Sequence, residues 1–145
     1  MDSRATGRGP SVLVADDDAF IREFLATALR PHFAVGRPLA NGRQLLEAAL
    51  AGTPDVIVTD LNMPVLGGLG AMLALRDCGR TVPFVIVSAD DHLATRCFEL
   101  GASAFVSKLD LGADLIPAVF ATLSGMTYVS RSVQMVGMAD GRRIC

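Results

Sequence analysis

From Ser11 onward the chain repeats one pattern. Short, nearly continuous apolar runs alternate with longer stretches whose apolar residues recur every three or four positions. The first kind reads as buried strands of a parallel sheet, the second as amphipathic helices. Residues 11–15 give the first strand. Phe20, Ile21, Phe24, Leu25, Ala28 and Leu29 give the apolar stripe of a first helix, which Pro31 stops. Residues 33–40 read as a weak strand. Pro38 within it cannot donate to a ladder, which assigns this strand to a sheet edge. Asn41-Gly42 reads as a turn, and a helix follows over 44–51, closed by Gly52. The next strand, over 54–60, is rich in β-branched residues and ends on Asp60, where Leu61-Asn62-Met63-Pro64 turns the chain. A helix over 71–78, a strand over 82–88, a helix over 91–100, a short strand over 104–107 and a helix over 114–123 complete the series. Pro117 is expected in the first turn of that last helix, where a missing N–H costs little.

Strict alternation of this kind implies an α/β fold, a doubly wound five-stranded parallel sheet with helices on both faces. Residues 11–125 form one domain on this reading. Residues 1–10 are expected to be a disordered arm, and residues 126–145 a linker or tail in which Ser130 caps one or two helical turns over 131–138. With 145 residues, about half of them hydrophobic, there is ample material for one core. A net charge of −2 with no basic stripe argues against direct nucleic-acid binding by this chain. No apolar run approaches the roughly 20 residues of a membrane span, and residues 1–10 carry no apolar leader segment. Cys78, Cys97 and Cys145 form neither a disulfide framework nor a zinc pattern, which suits a reducing cytoplasm.

The chemistry gathers at strand ends. Asp16, Asp17 and Asp18 follow the first strand, Asp60 ends the third, Ser88 the fourth, and Lys108 follows the fifth. In a doubly wound sheet these ends open on one rim. Crowded carboxylates disfavour each other's ionisation, and a divalent cation relieves that. Hard oxygen ligands with open water positions suit Mg²⁺, with Mn²⁺ as its substitute. Metal, lysine and hydroxyl together meet the needs of a phosphoryl group, namely charge neutralisation and a cradle of donors. Asp60 is then either a metal ligand or the nucleophile of an aspartyl-phosphate chemistry. His32 and His92 have no ligand partners at metal spacing.

The segments Val12-Leu13-Val14-Ala15-Asp16-Asp17-Asp18, Asp60-Leu61-Asn62-Met63-Pro64 with Gly68, Val87-Ser88-Ala89 and Gly101-Ala102-Ser103-Ala104-Phe105-Val106-Ser107-Lys108 together resemble the receiver domain of two-component response regulators. The resemblance covers residues 11–125 and implies a flavodoxin-like sheet of order 2-1-3-4-5. It implies that Asp60 is the phosphoacceptor, that Asp17 ligates Mg²⁺ directly, that Asp16 holds it through water and that the Asn62 carbonyl completes the set. Lys108 would pair with the phosphoryl group. Ser88 would move toward it, and Phe105 would follow inward. The implied partner is a sensor histidine kinase or phosphotransfer protein, and the implied output is protein binding, homodimerisation included. Such a domain is not an enzyme beyond its own phosphorylation and dephosphorylation. Leu115, Val119 and Phe120 on the last helix read as core residues that would also suit a dimer face. Residues 101–130 resemble the NarL-type subfamily in particular, where this stretch leads into a helix-turn-helix DNA-binding domain. The chain ends before one, which fits either a truncated transcription regulator or a single-domain receiver.

Two positions depart from the commoner pattern. Leu109 stands where most receivers have Pro, so the loop after the fifth strand is expected to turn differently. Phe105 lacks the hydroxyl of the commoner Tyr. Asn62 and Asp90, two residues past Asp60 and Ser88, stand where the resemblance implies positions that tune phosphoryl lifetime in the family. Two other classes stay open on the sequence alone. One is a pseudo-receiver, a binding module that keeps the fold without the chemistry. The other is a Mg²⁺-dependent phosphohydrolase with an Asp nucleophile, though its usual second Asp is replaced here by Asn62.

Overall fold

The computed structural model describes residues 9–134. Its single sheet has six parallel strands in the order β2-β1-β3-β4-β5-β6: β1 (Ser11–Ala15), β2 (Ala34–Val35), β3 (Val56–Asp60), β4 (Phe84–Ser88), β5 (Ala104–Ser107) and β6 (Tyr128–Val129). The helices are α1 (Ala19–Leu29), α2 (Gly42–Ala51), α3 (Gly68–Asp77), α4 (Ala94–Glu99) and α5 (Leu111–Leu123). Side chains alternate across a strand, so each strand feeds both faces. Val12, Val14, Val56, Val58, Val85, Val87, Ala104 and Val106 pack beneath α1 and α5. Leu13, Ile57, Phe84, Ile86 and Phe105 pack beneath α2, α3 and α4. This burial on both faces is why the strands read as continuous apolar runs.

The α/β architecture and the first five strands follow the expected order, with β2 at an edge. A sixth strand was not expected: Tyr128–Val129 pairs with β5, in register with Ala104 and Phe105. The weak strand over 33–40 contracts to Ala34–Val35 plus an isolated bridge between Ala15 and Leu39, because the Gly36–Pro38 stretch breaks the ladder. Asn41 is not a free turn but the cap of α2, its side chain accepting from the Gln44 N–H at 2.9 Å. Residues 91–100 split into a 3-10 turn, Asp91–Leu93, and the short α4. Helix α5 begins three residues earlier than expected, so Pro117 lies inside it rather than in its first turn. The bond its N–H would have donated to the Ala113 carbonyl is lost, and both residues face solvent.

Helix α1 carries a narrower buried stripe than its spacing implied. Leu25, Ala26 and Leu29 are buried, while Phe20 is 79% and Phe24 40% exposed. On α5, Leu115 and Val119 are core residues, and the half-exposed Phe120 stacks against Phe33 and His32. After β6 the chain is helical over 131–134, and Val133 is buried against the face that holds Phe105. The Ser130 carbonyl starts these turns by accepting from Val133 and Gln134. Residues 135–138 of the expected helix, residues 1–8 of the expected arm and Cys145 lie outside the described residues.

Candidate functional site

The parallel register aligns the strand ends. Ala15 is level with Thr59, Asp60 with Val87, and Ser88 with Ser107. Asp16, Asp60, Ser88 and Lys108 therefore emerge on one rim, as open parallel sheets require. Asp16 and Ser88 are fully buried and Asp60 is 5% exposed. Lys108 reaches over from the next strand but one, and its Nζ stands 3.4 Å from Asp60 Oδ2 and 3.4 Å from Asp16 Oδ2.

The acidic triplet divides its work. Asp18 caps α1, accepting from the Phe20 N–H at 2.8 Å and the Ile21 N–H at 3.2 Å. Asp16 is locked by its backbone: its N–H donates to the Leu39 carbonyl, and its carbonyl accepts from the Arg22 guanidinium at 2.7 Å. Its Oδ1 accepts from the Asp18 N–H at 2.9 Å. Its buried Oδ2 has no hydrogen-bond partner and stands 3.4 Å from the Lys108 ammonium. Asp17 is exposed, at the mouth. One carboxylate oxygen from each of Asp16, Asp17 and Asp60 falls within 4.8 Å of the others.

Burial, and then the Asp16 carboxylate, push Asp60 up to about 6, against the pull of Lys108 and of the Asn62 N–H, which lies 3.4 Å from Asp60 Oδ1. Burial likewise raises Asp16, against the Asp18 N–H and Lys108. For Lys108, desolvation favours the neutral amine, but the Asp60 and Asp16 carboxylates outweigh it and hold the ammonium charged. Three carboxylates around one ammonium leave an excess of negative charge. Three hard oxygens, one of them buried without a hydrogen bond, make a donor set that fits Mg²⁺.

Ser88 Oγ accepts from the Asp90 N–H at 3.0 Å, and Asp90 in turn caps the 3-10 turn by accepting from the His92 N–H at 3.1 Å. Phe105 is fully buried, on the face of the sheet that also holds Ile86, Ala94 and Cys97. Asn62 is exposed beside the mouth. Leu109, in place of Pro, sits 84% exposed within a 3-10 turn over Lys108–Asp110 that runs straight into α5. His32 and His92 are exposed and stand outside the acidic group.

One group of polar residues escaped the sequence reading. Asp110 and Asp114, both buried, hold the chain that follows α5. Asp110 accepts from the Ser132 N–H at 3.0 Å and from its hydroxyl at 2.7 Å. Asp114 accepts from the Tyr128 hydroxyl and the Arg131 N–H and guanidinium, at 2.9 to 3.3 Å. Burial alone would raise both acids, but these donors hold them below the usual carboxylate range. The available signal was two acids four residues apart at the head of an otherwise apolar helix.

The family model of the response regulator receiver domain matches residues 12–119. The transcriptional regulatory protein PrrA of Mycobacterium tuberculosis is 36% identical over 138 residues, which is 91% of this chain and 58% of that protein. The glycerol metabolism activator of Pseudomonas putida is 30% identical over 139 residues, 91% of this chain and 62% of that protein. The chain thus spans about three fifths of the length of these relatives. Among solved structures, the signal receiver domain of NarL from Mycobacterium tuberculosis superposes with a TM-score of 0.72 at 25% identity, covering 86% of this chain and 99% of that one. A LuxR-family two-component response regulator from Aurantimonas sp. SI85-9A1 superposes at 0.79 with 24% identity, over 90% and 96% of the two chains, and shares the fold. No helix among the described residues is long and apolar enough to cross a membrane. The chain belongs to the response regulator receiver domain family, the phosphorylation-activated signalling module of two-component systems.

Proposed function

We propose that Asp60 is the phosphoacceptor of this receiver, with Lys108 as its cationic partner. The observation that carries the reading is the 3.4 Å approach of Lys108 Nζ to Asp60 Oδ2, beside the acidic group of Asp16 and Asp17. An Asp60 carboxylate oxygen attacks the phosphorus of a phosphohistidine on a sensor kinase or phosphotransfer protein. The new O–P bond forms as the N–P bond breaks, and the imidazole leaves. Lys108 neutralises charge on the transferred oxygens and orients them. Asp16, Asp17, Asp60 and the Asn62 carbonyl would hold a Mg²⁺, which when bound supplies charge neutralisation on the phosphoryl oxygens.

The phosphoryl oxygens give the Ser88 hydroxyl an acceptor for its proton, and reaching them would move the Oγ that now accepts from the Asp90 N–H. Ser88 and Phe105 lie on the same side of the sheet by strand alternation, so a shift of one is felt by the other across β4 and β5. The output is a change in the face formed by α4, β5 and α5, a two-state equilibrium biased by typically about 1–3 kcal/mol. Protein binding, including homodimerisation, reads out that face. The relatives' names support a role in transcriptional regulation, which would need a DNA-binding part besides these residues.

Incubation with Mg²⁺ and acetyl phosphate, followed by intact mass, tests the assignment. One phosphoryl adduct, lost in Asp60→Asn, is expected. An adduct that persists in Asp60→Asn overturns the assignment. Failure of both adduct formation and beryllofluoride binding would favour a binding module that does not use the chemistry.

A further inference from the structure

Ser130 grips β5 at two points. Its N–H donates to the Phe105 carbonyl at 3.0 Å, and its Oγ accepts from the Ser107 N–H at 2.9 Å. Ser107 immediately precedes Lys108, and its own Oγ accepts from the Leu109 N–H at 3.2 Å, closing the turn that carries the lysine. The far end of that turn is Asp110, whose two carboxylate oxygens are taken by Ser132. Both ends of the turn are therefore tied to one short stretch of chain. That stretch is itself anchored by Tyr128 and Arg131 on Asp114, by pairing of β6 with β5 and by burial of Val133. The turn has little packing of its own, because Leu109 points into solvent.

We propose that residues 128–134 act as a strap that fixes the Lys108 turn, which makes Ser130, Ser132 and Asp110 positioning residues for phosphoryl transfer to Asp60. The inference rests on the reading of Asp60 and Lys108 above and adds the device that aims the lysine. A lysine is a point charge on a flexible stem, so its reach is set by where its backbone is held. Lys108 stands at 3.4 Å from two carboxylates on two different elements, a placement that survives only if the turn keeps its position. The strap also touches Phe105 and the turn through the same serine. Coupling between sites is reciprocal, so occupancy of the phosphoryl site is transmitted to the strap and to the chain that follows it.

The test uses the full chain carrying Ser130→Ala, Ser132→Ala, Ser132→Thr or Arg131→Ala. Adduct formation from acetyl phosphate with Mg²⁺ is timed by intact mass, and a thermal melt is recorded for each variant. Ser130→Ala and Ser132→Ala are expected to slow phosphorylation about threefold to tenfold, since small misplacements of a catalytic group are costly. Ser132→Thr keeps the hydroxyl and is expected to restore the rate. Arg131→Ala removes the guanidinium from Asp114, which keeps the Tyr128 hydroxyl and the residue 131 N–H, and leaves the turn's own bonds, so it should lower the melting temperature with a smaller effect on rate. Ser130 is buried, and if its variant does not fold, the Ser132 pair decides. Wild-type rates in the alanine variants overturn the proposal, as do equal rates for Ser132→Ala and Ser132→Thr, or rates that follow melting temperature across the set. Absence of any adduct in the wild-type chain, with beryllofluoride also failing to bind, overturns both this inference and the Asp60 assignment, whereas an adduct with unchanged variant rates overturns this inference alone.

Discussion

Asp60 Oδ2 and Lys108 Nζ meet at 3.4 Å across the end of β4, the strand that separates theirs. Asp16 is equally close to the same ammonium. The lysine thus occupies part of the negative potential that a divalent cation would use. Lys108→Met should tighten Mg²⁺ binding about threefold to tenfold at roughly pH 8, where Asp60 is ionised, because a nearby like charge is removed. The same variant should slow phosphorylation, since one neutralising charge is missing. Calorimetric Mg²⁺ titration checks the first outcome; weaker binding in the variant would show that Lys108 organises the acids rather than competing for them.

Asp60 is raised from 3.8 to about 6. Between these values the folded state binds more protons than the unfolded one, so stability falls as pH rises through that window and stays lower above it. At about 1.4 kcal/mol per unit, the ionised carboxylate costs the fold on the order of 2–3 kcal/mol at neutral pH. In metal-free buffer, Asp60→Asn should melt above the wild type at about pH 7, and the gap should close toward pH 4. Added Mg²⁺ should narrow it from the other side by stabilising the wild type. Equal melting temperatures across this range would mean that the acidic group carries no such strain.

Val65 has φ 70, the left-handed region, and is 77% exposed. A β-branched residue there is strained by roughly 1–3 kcal/mol, and no burial offsets the cost. Val65→Gly or Val65→Asn should stabilise the protein by about 1 kcal/mol in denaturant unfolding. A loss of stability would show that the valine makes a contact that outweighs its backbone.

Gly68 opens α3 directly behind the Asp60 strand end. A Cβ there would stand 2.3 Å from the Asp60 carbonyl oxygen and 2.9 Å from Thr59 Cγ2. Gly68→Ala must push the strand end or the helix away, so a loss of about 1–3 kcal/mol is expected. Acetyl-phosphate labelling should fall with it, because the displaced backbone carries Asp60, the proposed acceptor. Wild-type stability and labelling together would show that this approach is more tolerant than its geometry implies.

Tyr128 is the single tyrosine, and there is no tryptophan. Burial, and then its bond to the Asp114 carboxylate, push its hydroxyl up to about 12. Asp114→Asn should bring the ultraviolet titration back toward the ordinary value near 10. An unchanged titration would mean that Asp114 does not hold the hydroxyl in solution.

How much of this was legible depended on which interactions each element needs. Strands β1, β3 and β4 are buried on both faces, so Val12–Ala15, Val56–Val58 and Phe84–Val87 announce themselves as apolar runs, and their ends place Asp16, Asp60 and Ser88. The tail resisted the same treatment. Tyr128–Val129 is a two-residue strand among polar neighbours, held by acids on α5 and by the β5 backbone rather than by local pattern. Asp114 looked like the first residue of a helix, whereas it is a buried anchor inside one. Phe20 and Phe24 satisfy helical spacing, but spacing reports a stripe and not which neighbour covers it. Leu109 signalled that the loop after Ser107 would turn differently, but not that it would form a 3-10 turn closed by a serine cap.

Both outermost strands of the sheet, β2 and β6, are only two residues long. A parallel sheet with long open margins would offer rows of unpaired amides and carbonyls to any neighbouring chain. Here each margin ends almost as soon as it begins, one beside Pro38 and the other beside the Ser130 turn. Among the described residues the sheet therefore leaves little strand edge on which a second chain could add a strand, which disfavours strand-to-strand aggregation.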